Sequence, residues 1–493
     1  MTTYTEYLKE RREQEWREEL RKKLKGKERT DQPRVHMPEV DPNERVKSQT
    51  VEVNLGLGRE EAIKEASRCM DCVNPTCIEG CPVGINIPEF IKNIEREEFS
   101  LAAKTLKMYN ALPAVCGRVC PQEKQCESKC FYTIKLNKPA VAIGYLERFA
   151  ADWERESGSM DVPQCAPSNG IKVAAVGSGP SSLSFAGDMV KLGYDVTVFE
   201  ALHEIGGVLK YGIPEFRLPN KMVDVELDIL KKMGVKFVTN FIVGRTASFE
   251  QLKEEGFKGF FVGSGAGLPR FMNIPGENYN GIMSSNEYLT RVNLMGANND
   301  EFDTPVLRGK NVAVIGGGNT AMDSVRTAKR LGAERAMIVY RRSRVEMPAR
   351  VEEVKHAEEE GVEFLNLTNP IEYFADEKGR VNKMRLQLME LGEPDASGRR
   401  SPVEIPGATQ DIDVDLVIVA VGVSPNPLIP ASLPDLKVSR WGTIEVNDGM
   451  QSSIPVLFAG GDIVRGGATV ILAMGDGRNA AKSMHEYLSD QKD

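Results

Sequence analysis

Eight cysteines crowd into two blocks of this 493-residue chain. Cys69, Cys72, Cys77 and Cys81 are spaced Cys-x2-Cys-x4-Cys-x3-Cys-Pro, and Cys116, Cys120, Cys126 and Cys130 are spaced Cys-x3-Cys-Pro-x4-Cys-x3-Cys. Thiolates this close in sequence repel one another and oxidise readily unless something positive holds them, and iron–sulfur clusters are held by cysteines in this kind of run. Eight ligands suffice for two [4Fe–4S] clusters. A disulfide framework belongs to short secreted chains, whereas this chain is long, shows no apolar signal-like run near Met1 and has only Cys165 outside the blocks. Zinc favours compact cysteine pairs without the Cys-Pro endings seen at Cys81-Pro82 and Cys120-Pro121.

Two glycine-rich loops supply a second chemistry. Ile171-Lys-Val-Ala-Ala-Val reads as a buried strand that runs into Gly177-Ser-Gly179-Pro180-Ser181-Ser182 and then a helix, with Val196-Thr-Val-Phe-Glu200 as the next strand. This is a βαβ dinucleotide unit. Gly177 permits the tight turn, Gly179 lets the backbone approach a pyrophosphate, and Glu200 can accept from a ribose 2′-hydroxyl. Ser182 stands where the fingerprint has its third glycine.

A second unit opens at Asn311-Val-Ala-Val-Ile-Gly316-Gly317-Gly318-Asn319-Thr320, and its second strand ends in Arg341-Arg342-Ser343-Arg344. No acid occupies the position of Glu200 there. Arginines in that place attract a 2′-phosphate, so the first loop reads as an FAD site and the second as an NADP site. Val456-Leu-Phe-Ala-Gly460-Gly461-Asp462 closes another strand on an aspartate suited to a flavin's ribityl or pyrophosphate portion. Gly467-Ala468-Thr469 then opens a final helix beside it.

These groups need three frameworks to hold them. The expected fold is multidomain α + α/β: a helical iron–sulfur domain over residues 1–165, an FAD domain over 166–305 and 426–493, and an NADP domain over 306–425 nested within it. Apolar residues three and four apart, as in Pro88-Glu-Phe-Ile-Lys-Asn-Ile, make the region from Gly58 to Ser157 helical. The first thirty residues are dense in both charges, as in a solvated helix, and the thin apolar stripe of Leu8, Trp16 and Leu20 is expected to lie on the protein itself, the alternative being a partner surface. Lysine plus arginine number 63 against 71 aspartates and glutamates, a net charge of −8 that gives no reason to expect nucleic acid or an anionic membrane. Apolar runs such as Leu416 to Val421 are too short to cross a bilayer. A cytoplasmic protein is expected. His36, His203, His356 and His485 show no paired metal spacing.

The two cysteine blocks, Gly177-Ser-Gly-Pro-Ser-Ser, His203-Glu-Ile-Gly-Gly-Val-Leu-Lys-Tyr-Gly-Ile-Pro, Phe216-Arg-Leu-Pro, the Val312 to Asp323 segment, Tyr340-Arg-Arg-Ser-Arg and Phe458-Ala-Gly-Gly-Asp together resemble the glutamate synthase small (beta) subunit family, over nearly the whole chain. The same module resembles the amino-terminal part of dihydropyrimidine dehydrogenase and the large subunit of an electron-bifurcating NADH-dependent ferredoxin:NADP oxidoreductase. The resemblance implies that NADPH delivers hydride to a non-covalent FAD and that single electrons leave through the clusters. It implies flavin contacts at Pro180, Ser181, Ser182, Gly206, Gly207, Leu209, Val243, Gly461, Asp462, Ala468 and Thr469, and nicotinamide-nucleotide contacts at Gly316, Gly318, Asn319, Thr320, Arg341 and Arg342. It also implies one cluster on Cys69, Cys72, Cys77 and Cys130, and another on Cys81, Cys120, Cys126 and Glu147. Spacing alone would choose Cys116, the softer ligand, over Glu147.

No catalytic acid, base or nucleophile is expected, because hydride transfer between nicotinamide and flavin needs stacking alone. Glutamate synthesis further requires an amidotransferase site and an FMN-bearing barrel. Neither is encoded here, so such a role implies a large partner subunit. The alternative is a bifurcating or stand-alone oxidoreductase working with a smaller flavin and iron–sulfur subunit or with copies of itself. A dithiol reductase would need a cysteine pair beside the flavin, and no cysteine follows Cys165.

Overall fold

The structure, a computed structural model, describes residues 10–158, 160–299 and 301–490. In the iron–sulfur region, helices Arg59–Ser67, Ile87–Glu95, Phe99–Tyr109, Pro113–Val119 and Ile143–Glu156 pack on one another. Ile87–Glu95 shows why they form. Its Pro88 sits in the first turn, where a missing N–H costs nothing, and Ile87, Phe90, Ile91 and Ile94 make one buried stripe. The charged amino-terminal helix, Glu15–Lys23, lies against this domain through buried Arg17. Trp16 of the expected stripe stacks under Arg96, while Leu8 falls outside the described residues.

The strands in chain order are β1 Lys172–Val176, β2 Asp195–Phe199, β3 Lys236–Val238, β4 Phe257–Val262, β5 Leu268–Pro269, β6 Ile282–Ser284, β7 Asn311–Ile315, β8 Arg335–Tyr340, β9 Glu363–Asn366, β10 Thr368–Ala375, β11 Val381–Pro394, β12 Arg400–Asp413, β13 Leu416–Val419, β14 Val423–Ser424 and β15 Leu457–Ala459. A parallel sheet in the order β15-β4-β1-β2-β3 carries the first glycine loop, and a parallel sheet in the order β6-β13-β7-β8-β9 carries the second. Both have the continuous apolar strands of sheets covered on two faces. The chain leaves the first sheet through β5 and returns through β14, and these two pair antiparallel.

The domain boundary at residue 306 is corrected by this topology. β6 pairs with β13 and the following helix Ser285–Leu289 packs on the second unit, so the nested domain begins soon after β5. A three-residue edge strand is too short to show a period, and the glycine loop drew the boundary late. The antiparallel sheet β10-β11-β12 was likewise not expected from the sequence.

One apolar core runs without a break from the iron–sulfur helices into one face of the first sheet, joining Leu112, Val115 and Leu146 to Leu183, Phe185 and Met474. The two faces of the second sheet have cores of their own. Among the described residues no helix is long and apolar enough to cross a membrane.

Candidate functional site

The charges that each cysteine feels sort them into two groups, with Cys77 and Cys126 coupled across the divide. Burial pushes the Cys72 thiol up to about 12, with Cys69 and Cys130 adding to it, and burial with Cys69, Cys130 and Cys72 raises Cys77 further. In the other group, burial pushes Cys81 up to about 11 with Glu147 and Cys116 contributing, and Cys116 together with burial raises Cys120. Cys126 is raised by burial and by charges that include Cys81 and Glu147. Such thiols keep their protons near neutrality unless a cation takes their place.

Both contenders for the eighth ligand reach the second group. Glu147, on helix Ile143–Glu156, is buried, and its Oε1 accepts from Asn110 Nδ2 at 2.8 Å. Burial pushes its carboxyl up to about 8 against that hydrogen bond. Cys116, inside helix Pro113–Val119, points its Sγ at Asn110 Oδ1 (3.7 Å) and at Met474 Sδ (3.5 Å).

The loop bearing Cys69 and Cys72 is braced from the amino terminus. Asp71, between them, has a positive φ of 48° and accepts at Oδ1 from Arg17 (2.8 Å) and at Oδ2 from Arg21 (2.7 Å), while its carbonyl accepts from Arg12 (2.8 Å). The charged helix thus lies on its own protein, as expected, and acts there as a strut for the first cysteine group.

In the first nucleotide unit Gly177 has φ +90°, and a Cβ there would lie 2.7 Å from the carbonyl of Gly263, so the turn excludes a side chain. Helix Pro180–Lys191 follows. Glu200, at the end of β2, is buried, its Oε2 accepting from Ser178 N (2.8 Å) and Ser178 Oγ (2.6 Å) and its Oε1 from Leu202 N (2.8 Å). Ser178 Oγ also accepts from Gly206 N at 2.9 Å, which draws Gly206 and Gly207 to the loop. Ser178 was not expected; only its place between two glycines could have signalled it.

Asp462, after β15, accepts from Ala468 N at 3.0 Å, and burial raises its carboxyl to about 6. Tyr211 feels both Asp462 and Glu200, and burial pushes its hydroxyl up to about 12, so three groups from distant segments face one region. Leu209 and Val243 are buried as well, in two different apolar cores. Among the described residues, Ser182 and Ser264 keep buried hydroxyl oxygens without partners, as a polar ligand's cradle would.

The second unit repeats the pattern. Gly316, at φ +140°, would put a Cβ 2.4 Å from the Ala420 carbonyl, whereas a Cβ on Gly318 meets nothing within 4 Å at the start of helix Asn319–Arg330. That open helix end suits a pyrophosphate. Asn319 Oδ1 accepts from Arg350 N at 2.9 Å, and Thr320 is exposed. Of the arginine pair after β8, Arg341 is exposed and Arg342 is buried and ion-paired to Asp395 at 2.6 Å.

Two contacts join the second cysteine group to the segment that follows β15. Gln125, next to Cys126, donates from Nε2 to Thr469 Oγ1 at 3.5 Å, and Pro82, next to Cys81, packs so closely on helix Val470–Asp490 that a Cβ at Gly475 would lie 2.8 Å from its carbonyl.

The nucleotide domains are locked together by a buried ionic network. Arg217 of the first gives Asp323 of the second two hydrogen bonds of 2.8 Å, and its Nε lies 3.1 Å from Glu353. Glu360 binds Arg326, Arg330 and, from the amino-terminal segment, Arg45 at 2.8 Å. Burial alone would raise Glu353 and Glu360, but Arg217 and Arg326 hold Glu353 down at about 2, and Arg326 and Arg330 hold Glu360 well below the usual carboxylate range. Phe216, whose Phe-Arg-Leu-Pro motif had no assigned role, lies under Arg326 and Arg330 at 4.7 and 3.9 Å.

A cysteine-lined helical domain fused to two nested dinucleotide units defines a pyridine-nucleotide-dependent flavin oxidoreductase with an iron–sulfur port. Residues 45–159 match the family described as dihydropyrimidine dehydrogenase domain II, 4Fe-4S cluster, and residues 171–477 match pyridine nucleotide-disulphide oxidoreductase. The chain belongs to the pyridine nucleotide-disulphide oxidoreductases and, within them, to the glutamate synthase small-subunit family. It is 36% identical to the glutamate synthase [NADPH] small chain of Azospirillum brasilense, over 92% of this chain and 94% of that one. It is also 37% identical to the NADP(+)-dependent formate dehydrogenase subunit beta of Moorella thermoacetica, over 84% of this chain and 60% of that longer one. Mycobacterium tuberculosis FprA in complex with NADPH superposes with a TM-score of 0.56 at 21% identity, covering 66% of this chain and 86% of that one, a likeness of fold. The chain is an oxidoreductase that uses NADPH, FAD and iron–sulfur chemistry, and several of its relatives are named as chains or subunits of enzymes.

Proposed function

We propose that this chain is the electron-entry subunit of a glutamate synthase, a cytoplasmic enzyme in which a separate large subunit converts glutamine and 2-oxoglutarate into two glutamates. In this reading Gly316, Gly318, Asn319 and Thr320 hold the pyrophosphate of NADPH, and Arg341 and Arg342 take its 2′-phosphate. Gly177, Gly179, Ser181 and Ser182 hold the FAD pyrophosphate at a helix amino terminus, Glu200 takes the ribose, and Asp462 with Ala468 and Thr469 lines the ribityl side. Cys69, Cys72, Cys77 and Cys130 hold one cluster; Cys81, Cys120, Cys126 and Glu147 hold the other. When bound, FAD accepts two electrons as hydride and releases them singly, and each iron–sulfur cluster carries one electron.

The residues of this chain bind, orient and shield. The observation that carries the reading is the contact of the Cys126 loop, through Gln125, with Thr469. It supports a placement in which a cluster held by Cys81, Cys120, Cys126 and Glu147 would lie beside the segment that would line a bound flavin, where it would supply one-electron chemistry. The buried ionic network supports the fixed approach of the two nucleotides that hydride transfer requires.

A second reading, electron delivery to a smaller flavin and iron–sulfur subunit, draws on the likeness to the formate dehydrogenase subunit. Gentle anaerobic purification of the tagged chain from its own cell, followed by mass spectrometry, separates the two. A co-purifying large amidotransferase supports glutamate synthase. A small redox subunit, or the chain alone, overturns it.

A further inference from the structure

We infer that Asp395 is a specificity-determining residue of the second nucleotide site, a built-in competitor for the arginine that would bind the 2′-phosphate. The inference rests on the proposed assignment of Arg342 to that phosphate.

Asp395 sits in the turn between β11 and β12, far from the glycine loop in sequence. The turn is well determined: Asp395 N donates to the Arg399 carbonyl and Gly398 N to the Asp395 carbonyl, each at 2.8 Å. Oδ1 accepts from Ser397 N at 2.8 Å and from the Ser397 hydroxyl. That leaves Oδ2, which accepts from Arg342 Nη2 at 2.6 Å. The hairpin is tied to the same place by its backbone, because Leu367 N donates to the Arg342 carbonyl (3.1 Å) and Met389 N to the Leu367 carbonyl (2.8 Å).

Arg342 is 7% exposed, and its Nε is a buried donor without a partner among the described residues. A guanidinium fork with one arm on a carboxylate and another unused is half satisfied. A phosphate monoester brings more charge and three acceptor oxygens, so it can displace Asp395 and use Nε as well. A nucleotide that ends in a ribose hydroxyl offers no such exchange and leaves the Asp395 pair in place. The carboxylate therefore taxes NADPH alone and narrows the preference that Arg342 would otherwise impose.

The test is Asp395→Asn, which keeps the Oδ1 acceptor of the turn and removes the charge. Calorimetric titration of the FAD-loaded protein with 2′,5′-ADP and with 5′-AMP gives the ratio of the two affinities. That ratio should rise about two- to five-fold, the range spanned by partly exposed ion pairs. A ratio that stays the same or falls overturns the inference. Arg342→Gln separates this failure from failure of the underlying assignment. If it collapses the ratio while Asp395→Asn leaves it unmoved, only the role of Asp395 is lost. If it leaves the ratio intact, the phosphate assignment itself is wrong.

Discussion

Replacing Arg217 with methionine keeps the apolar stem and removes the charge that binds one nucleotide domain to the other. Glu353 would keep Arg326, but Asp323 accepts its hydrogen bonds from Arg217 alone among the described residues, so one buried carboxylate is stranded. Such a loss costs about 3–5 kcal/mol if the orphan stays charged. Asp323 escapes the upper end by taking up a proton. Burial already raises it from 3.8 to about 6 against the pull of Arg217. An acid raised on folding contributes stability that is fully present below its unfolded value and is lost as pH climbs through its folded value. Without Arg217 that loss continues to higher pH. Proton uptake therefore adds about 1.4 kcal/mol to the deficit of the variant at pH 7 and about twice that at pH 8. Lost charge-assisted hydrogen bonds add about 1.5 kcal/mol at any pH. The expected destabilisation is near 3 kcal/mol at pH 7, larger at pH 8 and about half as large at pH 5.5. Urea unfolding of the anaerobically prepared holoprotein, followed by tryptophan fluorescence, measures it. A deficit that does not change between pH 5.5 and 8 would refute the identification of Asp323 as the stranded charge. Adding Asp323→Asn should restore most of the loss, since removing both members of a buried pair costs far less than removing one.

Glu147→Ala should lower the iron content or alter the spectrum of one cluster while FAD stays bound, and Cys116→Ala should do neither; the reverse pattern would assign the ligand to Cys116. Glu200→Gln removes a carboxylate that accepts three hydrogen bonds, and about 1.4 kcal/mol of lost charge-assisted bonding should weaken FAD binding about tenfold in an equilibrium release assay. Small-angle scattering of the oxidised and NADPH-reduced protein should give the same radius of gyration, whereas a swinging nucleotide domain would change it.

Features whose partners lie near in sequence were legible from the chain. The cysteine blocks carry their meaning in spacing, and each glycine loop sits between its own strand and helix, so Gly177 and Gly316 were found without a structure. What escaped depends on topology. Ser178 looks like a loop filler until β2 brings Glu200 against it. Arg217 and Asp323 are separated by more than a hundred residues and meet because one domain is threaded through the other. β6 is too short to announce itself, and the strands β11 and β12 place Asp395 at Arg342 only once their turn is built. Arg17 and Arg21 are indistinguishable in sequence from any charged helix face, and their role depends on the position of Asp71.

The buried network bears on how this chain works as well as on how it holds together. Rotating the nested domain away from the flavin domain would strip Arg217 from Asp323 and Glu353, and would separate Arg45 and Phe216 from Glu360, Arg326 and Arg330. It would also break the bonds from Arg350 to the Arg118 carbonyl (2.8 Å) and to Gln122 Oε1 (2.9 Å), which tie the nested domain to the iron–sulfur helices. Such a rotation would exchange these pairs for hydrated charges, so what opposes it is the loss of many contacts at once rather than the stranding of any one charge. A continuous apolar core already fixes the iron–sulfur helices on the flavin domain. These contacts favour the one arrangement described, and the scattering measurement tests it: a radius of gyration that changes on reduction by NADPH would show that the nested domain reorients.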